Sequence, residues 1–283
     1  MLNIDKFVQI RKSLKLSQTE LCSGICTQST LSKFENNGLV PSFKILNQLC
    51  ERMNISLSDL MGPSEEAGVT EQLIEADFSL VSYDYEKLAR LMAKVKQSSL
   101  KKSDDKFHYQ YLKGQVALYD KNEPMSALYY FNGILTAADL KANSIYRLLA
   151  LNGCSEVYFS QKEFDKAKHY YDQIKNEILK FKVNSNEEAI QVLSILCTAG
   201  EFYGEQGDYK HSNKLLNAAY NLCATRHLVF FLARTCLRLG ENIVAQNGDI
   251  QKAKDNFYDA IAFGRLNDNQ QVIERAQSAL ESL

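Results

Sequence analysis

Five small or apolar positions, Leu88, Ala127, Ala167, Ser212 and Ala253, recur 39, 40, 45 and 41 residues apart through the last 215 residues of this 283-residue chain. A period of this order constrains the fold more than any short motif, because one unit is too small to bury an apolar face alone and must stack on its neighbours. The rest of each unit moves with its anchor. Four residues on stand Met92, Phe131, Tyr171, Leu216 and Phe257, and three further Val95, Ile134, Ile174, Ala219 and Ala260. Nine before the anchor stand Ser79, Leu118, Tyr158, Tyr203 and Val244. Steps of four and three keep side chains on one face of a helix. A turn precedes each anchor: YDY at 83–85, KNEP at 121–124, KEF at 162–164, GDY at 207–209 and GDI at 248–250. The unit reads as helix, turn, helix, and the whole as a solenoid of about five pairs. Residues 265–283 are predicted to add a capping helix through Val272, Ile273, Ala276 and Leu280.

Only three prolines and 13 glycines occur, too few for the many turns of a barrel or sandwich, so an all-α fold is predicted. A formal net charge of -1 offers no global attraction to nucleic acid or to an acidic membrane, and any such partner must be met locally. The longest apolar run, residues 228–233, falls far short of the roughly 20 residues a membrane span needs. The start, MLNIDKFVQIRKSL, carries charges at Asp5, Lys6, Arg11 and Lys12 and does not read as a signal peptide. A cytoplasmic location without a membrane partner is therefore expected. The seven scattered cysteines read as free thiols serving as small core residues. Cys22, Cys26 and Cys50 offer three ligands where a tetrahedral zinc site needs four, so no metal or other cofactor is predicted.

The composition changes near residue 62. Seven basic and five acidic residues precede it, a local net of +2, and GPSEEAG at 62–68 comes next with two glycines and a proline. The expected domains are 1–62, a linker at 63–68, and 69–283. Within the first, Ile4, Phe7, Val8, Ile10, Arg11 and Leu14 recur at helical spacing. Ser17 and Glu20 make a capping box for a second helix. Thr27 caps a third, QSTLSKFE, in which Leu31 and Phe34 point inward and Gln28, Ser29, Ser32 and Lys33 outward. That outer face is polar without a carboxylate, which suits DNA. A fourth helix is built on Phe43, Ile45, Leu46, Leu49 and Met53, and SLSDL at 56–60 starts a fifth.

These words in this order resemble the phage-repressor type of helix-turn-helix domain: LSQTEL opening helix 2, SKFE closing helix 3, PS before helix 4 and a final LSDL. Cys22, where alanine is usual, and the extra asparagine in ENNG depart from it without removing a contact residue. The resemblance implies that Gln18 meets a phosphate and that Gln28, Ser29, Ser32 and Lys33, with Thr27 at the helix start, form the DNA-contacting set; side chains at that end of a recognition helix reach base edges.

The repeats resemble tetratricopeptide units stretched by five or more residues. The first helix of each pair lines the concave face of such a solenoid, which places Asn152, Glu156, Phe159, Glu201, Arg238 and Asn242 inward. Asparagine suits an extended peptide because its amide pairs with both a backbone N–H and a C=O, and Arg238 suits a terminal carboxylate. A helix-turn-helix leading into such repeats resembles the PlcR-type peptide-sensing regulators of Gram-positive bacteria. The resemblance implies a homodimer on inverted-repeat operator DNA, with a short signalling peptide in the concave groove. A regulator whose repeats dock a protein instead is the alternative. No enzyme is predicted: GxGxxG, GxxxxGK[ST], HExxH and GxSxG are all missing, and His108, His169, His211 and His227 stand far apart.

Overall fold

The computed structural model describes residues 4–55, 60 and 65–283, which divide into two units at Gly68 and Val69. Helices alone build both, and no strand occurs among the described residues. In unit 1 these are α1 (Ile4–Ser13), α2 (Gln18–Cys22), α3 (Gln28–Asn37) and α4 (Phe43–Arg52). The capping box forms as the sequence predicts: the Glu20 N–H donates to Ser17 Oγ at 3.1 Å and the Ser17 N–H to Glu20 Oε2 at 2.7 Å. Thr27 caps α3 through the Thr30 N–H, and Gly38, at φ 70°, ends it in the left-handed conformation that glycine tolerates best. Phe7, Leu21, Leu31, Phe34, Leu46 and Leu49 close the core, with Phe7 edge-on to Phe34 at 5.0 Å. Leu14, predicted on the apolar face, is 47% exposed: α1 stops at Ser13 and the chain turns at Lys15, φ 57°. Phe43 opens α4 pointing outward, 73% exposed. The fifth helix expected at 56–60 lies outside the described residues except for Leu60, which is buried.

Unit 2 stacks five helix pairs and a last helix. The first helices of the pairs are α5 (Glu65–Val81), α7 (Ser103–Gln115), α9 (Ile145–Ser160), α11 (Asn186–Glu205) and α13 (Leu232–Ala245). Their partners are α6 (Tyr85–Lys94), α8 (Pro124–Leu135), α10 (Phe164–Ile174), α12 (Tyr209–Arg226) and α14 (Ile250–Leu266), and α15 (Gln270–Glu281) closes the row. The segment expected to link the units is helical from Glu65, because Glu65, Glu66 and Ala67 are strong helix formers and outweigh the single Gly68.

All five anchors are fully buried, and so are the residues four positions on from each. Gly153 and Gly200 have no room for a side chain: a Cβ there would stand 2.5 Å from the Phe131 ring and 2.7 Å from Leu216. Each turn within a pair holds one residue in the left-handed conformation, Tyr83, Asn122, Lys162, Gly207 and Asn247. In four of them the next N–H reaches back five residues, as from Asp84 to Ser79 O at 3.0 Å and from Asp208 to Tyr203 O at 2.8 Å, and after Asn122 the Glu123 N–H reaches back six, to Ala117 O at 2.7 Å. This satisfies carbonyls that a helix end leaves unpaired. The longest spacing, Ala167 to Ser212, accommodates the 3-10 turn Ile178–Lys180 and the 20-residue α11. Val244 departs from the pattern at 38% exposed, and Ile243 packs in its place. Val272, Ile273 and Ala276 of α15 cover the end of the core, with Leu280 half-buried beside them. Six of the seven cysteines are buried and Cys26 is half-buried. No helix among the described residues is long and apolar enough to cross a membrane.

Candidate functional site

In unit 1 the α3 face rests on a chain of polar contacts that begins in the core. Arg11, 8% exposed, grips Glu35 through two guanidinium nitrogens at 2.7 and 2.8 Å and donates a third bond to Leu16 O at 2.7 Å. Glu35 Oε2 also accepts from Gln18 Nε2 at 2.8 Å, and Gln18 Oε1 accepts from Gln28 Nε2 at 2.8 Å. Gln18, half-buried, is thus oriented from beneath, and exposed Gln28 is oriented by Gln18. One amide N–H and the carbonyl of Gln28 remain for an outside partner. Ser29 and Lys33 are exposed on the same helix. Ser32 is half-buried and accepts from Asn36 Nδ2 at 3.0 Å. Thr27 is exposed, but its hydroxyl is engaged by the helix cap and by Thr30 at 2.8 Å. The sequence reading missed Arg11 and Glu35 as supports. The signal was an arginine among the apolar positions of α1, which requires a buried partner.

In unit 2 the first helix of every pair, and α15, contributes to one cavity of about 320 Å³. Asp77 and Leu80 come from α5, Tyr111 and Gln115 from α7, Glu156 from α9, Ser194 and Thr198 from α11, Arg234 from α13 and Gln271 from α15. The two ends of the solenoid meet across it: Phe78 lies edge-on to Phe230 at 5.7 Å, and the Arg234 guanidinium sits 5.0 Å over the Tyr83 ring. Tyr85 and Tyr119, stacked at 4.8 Å, form part of the wall. Asp77 meets His108 at 2.8 Å, both buried. Glu156 accepts from Gln115 Nε2 at 2.8 Å, and burial raises its carboxyl to about 7 against the opposing pull of the Gln115 and Tyr119 hydrogen bonds. Beside the cavity is a smaller one of about 120 Å³, walled by a ladder of ion pairs. Arg234 holds Glu201, Arg238 holds Glu205 at 2.7 Å, and Arg275 holds Glu241 at 2.7 Å.

Three of the six residues expected to face a peptide line these cavities: Glu156 the larger, Glu201 and Arg238 the smaller. Arg238 is already paired with Glu205 and Glu241, so a ligand carboxylate there would have to compete with them. Asn152 is fully buried behind the wall; its Oδ1 accepts from Thr198 at 2.7 Å, and its Nδ2 has no partner. The other two do not line either cavity. Asn242, 1% exposed, donates to Ser212 Oγ at 2.7 Å and Asn213 Oδ1 at 2.8 Å, joining α13 to α12. Phe159 packs edge-on to Phe202 at 5.5 Å between α9 and α11. Helical rotation explains both, since a position near a helix end can turn toward a neighbouring helix rather than the open face. Asp77, Tyr83, Tyr85, Gln115 and Tyr119 were missed because only the third to fifth pairs were mapped, and Arg234 because it precedes Arg238 by one turn of the fifth pair's first helix, where the sequence reading took only Arg238 and Asn242.

Residues 8–60 match the helix-turn-helix family. A comparison with curated proteins finds no match. Among solved structures, PlcR of Bacillus thuringiensis in complex with the peptide PapR7 and DNA shares the fold at TM-score 0.63 and 14% identity, over 98% of this chain and 99% of that one. ComR from S. thermophilus, in complex with DNA and its signalling peptide ComS, gives 0.60 and 15%, over 96% of each chain. The apo form of the competence regulator ComR from Streptococcus vestibularis gives 0.59 and 15%, over 98% of this chain and 96% of that one. The helix-turn-helix unit on a repeat body is thus a fold shared with proteins solved in complex with DNA and a peptide, and none of these is described as an enzyme.

Proposed function

We propose that the chain is a cytoplasmic transcription regulator that binds an inverted-repeat operator as a homodimer and is controlled by a short signalling peptide on the face lined by the first helices of its repeats. The observation that carries the DNA half is the Arg11–Glu35–Gln18–Gln28 chain, which presets an exposed glutamine on α3. A preset side chain loses less freedom on contact, so more of its hydrogen bonding remains as affinity. Gln28 and Lys33 read bases, Ser29 and Ser32 line the same face, and Gln18 contacts a phosphate. A unit of local net charge +2 makes few phosphate contacts, so two copies on one operator are needed for useful affinity at physiological salt.

The peptide half is supported by the cavity on which the first helix of every pair and α15 converge, and by the likeness to PlcR and ComR, which were solved with peptides. At about 320 Å³ the cavity is at the small end of ligand sites and takes one or two side chains, with the rest of the peptide lying along the helices. Peptide changes DNA binding only through a difference in affinity for two arrangements of the repeats, typically about 1 to 3 kcal/mol of coupling.

Fluorescence anisotropy on an operator selected from random DNA tests both halves. Gln28→Ala and Lys33→Ala are each expected to weaken binding by about 1 to 3 kcal/mol and relax base preference. Synthetic candidate peptides are expected to shift the wild-type curve. Unchanged affinity and preference in both variants would remove α3 as the reading helix, and a curve that no peptide moves would favour a protein partner.

A further inference from the structure

The acid side chains around the groove differ in one respect. Glu201, Glu205 and Glu241 are each held by an arginine, and Asp77 by His108. Glu156, also buried, forms no ion pair among the described residues and is met only by neutral groups such as the Gln115 amide. Arg234, the guanidinium in the same lining, is engaged by Glu201 and lies over Tyr83. Beside Glu156, Gln115 is 1% exposed and its Oε1 has no partner. The floor of the cavity therefore offers a carboxylate without a counter-charge and a bare carbonyl, and an orphan acceptor in a buried site costs free energy until it is met. Aromatic faces stand around them, Tyr111 and the stacked Tyr85 and Tyr119. Ring faces carry negative potential and attract cations, more strongly where water is excluded.

We propose that this cavity selects a cationic group on its ligand, an ammonium or a guanidinium, with Glu156 and Gln115 as its acceptors and the tyrosine faces as its walls. The inference rests on the reading that a ligand occupies this face and specifies what that ligand must carry. A cation would give Glu156 the counter-charge that Glu201, Glu205 and Glu241 already have. Burial pushes the Glu156 carboxyl up to about 7, as it pushes the arginine-paired Glu201 up to about 8, and a cation bound at Glu156 would draw its carboxyl back down, releasing a proton.

The test uses the full chain and small probes, so that it does not depend on knowing the peptide. Phenethylamine, 2-phenylethanol and phenylacetate share a ring and differ in charge, and their affinities can be measured by ligand-observed NMR at pH 6 and pH 8. Phenethylamine is expected to bind at least tenfold more tightly than the other two at pH 8. A carboxyl titrating near 7 is about one-tenth ionised at pH 6 and nine-tenths at pH 8, so the affinity of phenethylamine should rise about tenfold between them. Asp77, His108, Arg234, Glu201 and the tyrosines also face this space, so the pH effect is assigned to Glu156 only if Glu156→Gln removes both it and the preference while leaving 2-phenylethanol binding intact. Equal binding of amine and alcohol by the wild type would overturn the proposal, as would a preference that survives in a folded Glu156→Gln protein. Should that variant fail to fold, the wild-type preference for the amine over the alcohol still decides whether the cavity selects a cation. Amine selectivity without any peptide effect on operator binding would sink the regulatory reading and leave this one standing. A peptide effect with no amine selectivity would do the reverse.

Discussion

At the scale of single residues, two buried carboxylates meet different partners. Glu35 is locked by Arg11, and its side chain is 3% exposed. Arg11→Ala would leave that charge buried with only the Gln18 amide, and breaking a buried pair in this way costs about 3 to 5 kcal/mol. Urea denaturation should show that loss in the transition of unit 1, and operator affinity should fall with it because Gln18 and Gln28 lose their support. Glu156 has no such partner, and its carboxyl is raised from 4.5 to about 7. The folded state therefore keeps a proton that the unfolded chain releases between those values, so stability falls as pH rises through that window, by up to about 3 kcal/mol from this group. Glu156→Gln should flatten that part of the profile and be more stable than wild type at pH 8; parallel melting curves for the two proteins between pH 4.5 and 8 would refute the assignment. The sequence marked Glu156 as inward-facing but carried no sign that it would be the acid left without a cation, because its surroundings come from helices as far along the chain as α5 and α15.

At the scale of elements, the second, fourth and fifth helix pairs are each held by a large side chain of the second helix pressed against a glycine of the first: Phe131 on Gly114, Leu216 on Gly200 and Phe257 on Gly240. A Cβ on Gly240 of α13 would stand 2.6 Å from the Phe257 ring of α14. The ring is 1% exposed and cannot swing out to water, so Gly240→Ala should cost about 1 to 3 kcal/mol by overpacking, read by thermal unfolding. Gly68→Ala is the contrasting case. A Cβ at Gly68 meets nothing within 4 Å, so this change inside α5 should stabilise by roughly 0.5 to 1 kcal/mol through helix propensity alone. The anchors and the residues four and seven positions later could be read off the sequence because they keep the helix period. Which of them need a glycine opposite could not, since that depends on how closely two axes approach.

At the scale of the whole molecule, every described residue of the unit 1 core cluster, from Ile4 to Leu60, belongs to unit 1. A fragment of residues 1–68 should therefore fold alone, giving a cooperative thermal transition by circular dichroism, and bind operator more weakly than the full chain if the dimer contacts lie in the repeats. A fragment without a transition would show that unit 1 depends on unit 2 to fold. By itself the sequence determined the all-helical class, the capped helix-turn-helix unit, the register of five helix pairs and the helix that ends them. These are set by interactions within about 40 residues, where hydrophobic period, turn residues and caps act directly on local structure. Only the tertiary structure decided how the solenoid meets itself. Phe78 touches Phe230 and Tyr83 lies under Arg234, about 150 residues away, and that approach encloses the cavity and sets which acids have partners. It is the sum of small rotations between successive helix pairs, and no single unit of the sequence encodes that sum.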